Sequence, residues 1–76
     1  MRDRLPTPTR RQREVLACLT RGLMNKQIAA ELGISERTVK NHVNALHQRM
    51  GTSNRVQLAV AETWTQARRA MRSAFQ

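Results

Sequence analysis

In the stretch Glu36–Met50, ERTVKNHVNALHQRM, two sets of residues recur with the same spacing. Val39, Val43, Leu46 and Met50 follow one another at intervals of four, three and four, and Arg37, Asn41, Asn44 and Gln48 do likewise, two positions out of step. In a helix advancing about 100° per residue, the first set forms one apolar stripe and the second lies opposite it. The polar set is one guanidinium and three carboxamides, flanked by Thr38, Lys40 and Ala45. These are hydrogen-bonding groups, with neither a nucleophile nor a general base among them. Arg and Lys donate to O6 and N7 of guanine, and Asn or Gln forms paired bonds with N6 and N7 of adenine. A helix face of this composition is suited to reading base edges in the major groove of duplex DNA.

The rest of the chain offers little competing chemistry. Cys18 is the single cysteine, so an internal disulfide is impossible, and its neighbours Val15, Leu16 and Leu19 mark it as a small core residue. His42 and His47 have no carboxylate close in sequence with which to form an acid–base pair. No Cys/His cluster has metal-ligand spacing, and no Gly-rich phosphate loop or nucleophile motif is present. These absences argue against an enzyme, a metal site or a bound cofactor. No apolar run approaches membrane-spanning length, and the N-terminus lacks the apolar core of a signal peptide. The chain is therefore expected in the cytoplasm, at the nucleoid, with no membrane association and no small-molecule ligand.

Charge points to a polyanionic partner. The 76 residues carry 14 Lys+Arg against 5 Asp+Glu, a formal charge of +9. Lys26 and Lys40 are the only lysines, so arginine, the side chain that bonds phosphate or guanine in bidentate fashion, dominates. Trp64 and Phe75 are the only aromatics, too few for the stacking platforms of single-strand and RNA binders.

Four helices are needed to hold the reading face in place, with no sheet. Residues 1–8 form a lead-in arm containing Pro6 and Pro8. Thr9 and Gln12 make a capping-box pattern for a first helix from about Arg10 to Arg21, ended by Gly22. Arg10, Arg11 and Arg13 crowd its first turns, the end where the helix dipole disfavours cations. Asn25 is expected to cap a short second helix, from about Lys26 to Leu32. Gly33 supplies the tight interhelical turn, Ser35 caps the third helix and Gly51 ends it. Beside its apolar stripe lies His42, a half-buried packing residue within reach of a phosphate. Ser53 is expected to cap a fourth helix.

In the fourth helix, Val56, Val60, Thr63, Ala67, Ala70 and Ala74 make a heptad-like seam. The seam is expected to face the domain over residues 56–64. Leu58, with Ala61 on its own side and Thr65 beyond, then projects outward as a dimer contact. The domain runs over residues 9–64, and residues 65–76 form a basic extension that continues the helix.

With TRRQREVL, GLMNKQIAAELGISERTVKNHV and GTSNRVQLAV on the page, the chain resembles the LuxR-type (GerE or NarL/FixJ-type) helix-turn-helix family over residues 9 to about 61. The resemblance implies an all-α, four-helix domain: a winged-helix-like three-helical core without a sheet, plus a C-terminal dimerisation helix. It implies a bacterial transcriptional regulator that binds double-stranded DNA as a homodimer on inverted half-sites, with RNA polymerase a further partner. Matched by motif position, Lys40, Asn41 and Asn44 read the major groove, and Lys26, Thr38, Asn54 and Arg55 hold phosphates. Pro8, Gln12 and Met24 depart from the residues usual at those positions. Two other readings stay open on sequence grounds: a protein-interaction adaptor on the same scaffold, and a sigma-factor-like promoter reader.

Overall fold

The computed structural model describes residues 8–74 and places four helices, with no strand, among them: α1 (Arg10–Thr20), α2 (Asn25–Leu32), α3 (Glu36–Met50) and α4 (Arg55–Ala74). The lead-in arm, Pro8 apart, and the last two residues of the extension lie outside the described residues.

Local chemistry sets the boundaries. Thr9 Oγ1 accepts from the Gln12 amide at 3.1 Å, and Gln12 Oε1 accepts from the Thr9 amide at 3.0 Å, a complete capping box. The arginines of this first turn find local acceptors. Arg11 pairs with Glu14 at 3.0 Å, and Arg13 donates to the Pro8 carbonyl at 3.2 Å. α2 starts one residue earlier than the sequence reading placed it. Met24 holds the cap position but has no side-chain oxygen to offer, so only half a box forms, with Gln27 Oε1 accepting from the Met24 amide at 2.8 Å. Gly33 closes α2 at φ +70, in the left-handed region that side chains with a Cβ resist. Ser35 Oγ then accepts from the Thr38 amide at 3.0 Å and starts α3.

One core joins all four helices. α1 contributes Val15, Leu16, Cys18 and Leu19; α2 contributes Ile28 and Ala29; α3 contributes Val39, Val43 and Leu46; α4 contributes Leu58. Leu23, Leu32, Ile34 and Met50 pack around this set. α2 lies mainly on α3, and α4 mainly on α1. Burial pushes the Cys18 thiol pKa up, and the nearby Glu31 carboxylate adds to the shift, so Cys18 is an inert core residue.

α4 is turned the other way from the sequence expectation. Leu58 is 0% exposed at the centre of the core, whereas Val56 is 71% exposed and Val60 47%. Leu58 is therefore no dimer contact. Ala61 and Thr65 are half-buried on the same inward side. Two stripes with spacings of three and four run along this helix, and the one bearing the leucine wins because α1 and α3 leave a deep apolar site for a single large side chain. The helix cap also differs: Asn54 Oδ1, not Ser53, accepts from the Gln57 amide, at 3.0 Å. Gln57 Oε1 in turn accepts from the Ser53 amide at 2.7 Å. α4 continues unbroken through Ala74.

Candidate nucleic-acid interface

α3 owes its orientation to its buried stripe. With Val39, Val43 and Leu46 fixed in the core, the geometry of a helix turns Arg37, Asn41, Asn44 and Gln48 outward. All four are exposed, as is Lys40 at the margin of the face. The face runs roughly 16 Å along the axis at 1.5 Å per residue. Among the described residues none of these five side chains is tied into an ion pair or hydrogen bond, so their donors and acceptors are available to a ligand. No large hydrophobic side chain stands exposed on α3; among the described residues those that do are Met24 and four residues of α4.

The residues assigned to phosphates fall into different settings. Lys26, in the first turn of α2, is exposed. Thr38 is half-buried, its hydroxyl 2.8 Å from Ser35 Oγ, beside the start of the reading face. His42 is half-buried beside the stripe. Asn54 is exposed and uses its side-chain oxygen in the α4 cap.

Arg55, expected at a phosphate, also carries a structural link that its place in the sequence does not signal. Its Nη1 donates to Asn25 Oδ1 at 2.8 Å and its Nη2 to the Leu23 carbonyl at 3.0 Å. Two of its donors thus tie the start of α4 to the start of α2. Asn25, expected as a cap, is the acceptor of this strut. His47, with no role expected, has Nδ1 2.7 Å from the Thr52 hydroxyl across the end of α3. The Arg55 strut has no local sequence signal, since it joins segments 30 residues apart, whereas the His47 link spans only the turn at Gly51.

A helical core with a polar face on its third helix, and a glycine turn between the second and third, defines a helix-turn-helix domain. Residues 8–61 match the luxR family of bacterial regulatory proteins (GerE). The chain belongs to that family, and its role is DNA binding in transcription regulation rather than catalysis.

Among its relatives, the spore germination protein GerE of Bacillus subtilis strain 168 is 44% identical over 55 residues, which cover 72% of this chain and 74% of that protein. The probable transcriptional regulatory protein SgaR of Hyphomicrobium methylovorum is 51% identical over 59 residues, 78% of this chain but 28% of SgaR. The DNA-binding transcriptional activator DevR/DosR of Mycobacterium tuberculosis is 43% identical over 61 residues, 80% of this chain and 28% of that protein. The chain thus spans little more than a quarter of these two longer regulators. The crystal structure of the response regulator ChrA, from a heme-sensing two-component system, superposes with a TM-score of 0.78 at 35% identity, covering 86% of this chain and 32% of ChrA.

Proposed function

We propose that α3 enters the major groove of duplex DNA and reads base edges with Asn41 and Asn44 at its centre, Arg37 and Gln48 at its ends and Lys40 at its margin. The observation that carries this is the exposed, unpartnered polar face directly opposite the buried stripe of α3. Arg37 and Lys40 donate to guanine, and the carboxamides pair with adenine. Lys26, Thr38, His42 and Asn54 set the register on the phosphates, joined by the donors of Arg55 that remain outside its strut. These contacts supply salt-dependent affinity without sequence information.

In this reading the chain works in the cytoplasm, at the nucleoid, as a homodimer on inverted half-sites. Its two α3 helices lie about one DNA turn apart, roughly 34–36 Å. A protein adaptor would expose aliphatic or aromatic groups on α3, and the absence of large ones there favours DNA over that alternative.

Selection of bound duplexes from a random pool tests the proposal. Recovery of an inverted repeat whose half-site centres lie about 10 base pairs apart supports it. A pool that stays random after repeated rounds removes base reading from the function.

A further inference from the structure

Four of the five large hydrophobic side chains exposed among the described residues lie along α4: Val56, Val60, Trp64 and Met71. Val60, Trp64, Ala67 and Met71 follow one another at intervals of four, three and four. On a helix turning about 100° per residue they share a sector about 60° wide. Arg68 and Arg72 lie along one flank of this stripe, while Glu62, the only carboxylate of α4, lies on the opposite side. From Gln66 to Ala74 every residue is exposed, so this end of α4 gains no burial from the rest of the domain. It also lies past the family match, which stops at residue 61. A helical end this short, without tertiary packing, is marginal in water and needs an outside surface to hold it.

We infer that distal α4 binds the surface of an anionic lipid bilayer, lying flat with Val60, Trp64, Ala67 and Met71 turned into the boundary between headgroups and acyl chains. An apolar stripe on a basic helix is the pattern that suits such a surface. Trp64, at the middle of the stripe, has the amphipathic ring that settles at this depth. Arg68 and Arg72 lay their methylene stems beside the stripe and bring their guanidinium groups up to lipid phosphates. Among the described residues no helix is long and apolar enough to cross a membrane, so the contact is peripheral. Charge and apolarity together select this occupant. Duplex DNA would attract the arginines but leave Trp64 and Met71 in water. A second copy would cover the stripe but meet Arg68 and Arg72 with like charge, at +9 per chain. The inference goes beyond the DNA reading and sets aside the sequence expectation of no membrane association.

Trp64 is the single tryptophan, so its fluorescence reports the contact directly. The probe is vesicles of phosphatidylcholine with about a third phosphatidylglycerol. Added to the intact chain, they shift Trp64 emission to the blue, and lipids brominated along the acyl chain quench it. Helicity by circular dichroism rises as the end of α4 gains burial. Vesicles of phosphatidylcholine alone bind more weakly, and added salt weakens binding to the anionic ones. Ala67→Glu lowers vesicle partitioning by about tenfold or more, and Arg68→Gln lowers it by about fivefold. Arg69→Gln, on the side away from the stripe, lowers it less. Ala67 is exposed and remote from α3, so Ala67→Glu keeps the parent's unfolding midpoint and its affinity for a single half-site.

Trp64 emission unmoved by anionic vesicles overturns the inference. So does equal binding to vesicles with and without phosphatidylglycerol, or an Ala67→Glu chain that partitions like the parent. A blue shift produced by random duplex alone gives the stripe to nucleic acid, and one produced by protein concentration alone gives it to a second copy; either result also overturns the inference. Half-site affinity, measured on the same proteins, separates the two ideas. Intact half-site binding without vesicle binding sinks the membrane contact alone, whereas vesicle binding without half-site binding sinks the DNA reading alone.

Discussion

Asn44 faces solvent and bonds to nothing among the described residues, so Asn44→Ala should leave unfolding free energy within about 0.5 kcal/mol of the parent. Its affinity for a selected operator should fall by roughly 1–3 kcal/mol while random duplex is held almost as before. Competition titrations measure both, and equal losses would remove Asn44 from base reading. Arg55→Ala should show the reverse emphasis. It strips the donor from Asn25 Oδ1 and the Leu23 carbonyl, at a cost of roughly 1–3 kcal/mol in denaturant unfolding. An unchanged midpoint would mean that the strut is idle. Lys26→Ala belongs to a third pattern: stability is kept, all duplexes bind more weakly and the salt slope shrinks by about one. The outward aim of Asn44 was legible in the sequence because one period fixes it. The strut was not, because Arg55 and Asn25 are 30 residues apart and only the packed fold brings them together.

The helices themselves were legible to different degrees. α1 and α3 each carry one apolar stripe and a side-chain cap at Thr9 or Ser35, so period and boundary agree. α4 carries two rival stripes, one with Val56 and Val60, the other with Leu58, Ala61 and Thr65. Periodicity alone cannot rank them. What decides is the shape of the site left between α1 and α3, and that is a tertiary property. A pair of truncations tests the outcome. Leu58→Ala should cost roughly 2–5 kcal/mol in unfolding free energy, as for other fully buried leucines. Val56→Ala, on the exposed side, should stay within about 0.5 kcal/mol. Urea titrations of the two variants read the difference, and a larger loss at Val56 would restore the opposite orientation of α4.

At the scale of the whole molecule, the same +9 that draws the chain to DNA keeps two copies apart, so paired binding needs both an uncharged contact and a polyanion that offsets the repulsion. In the proposed homodimer the two α3 faces lie a set distance apart, and the operator must match it. Inserting five base pairs between the half-sites turns one of them by about half a DNA turn and moves it roughly 17 Å further along the axis. One recognition helix then meets the wrong side of the duplex. The dimer should bind this spacer variant no better than a single half-site, because the second contact is lost as a unit and the gain from linking two binding events disappears. Anisotropy titrations with the parent repeat, the spacer variant and an isolated half-site measure the effect. Equal affinity for the parent repeat and the spacer variant would show that the two copies bind independently.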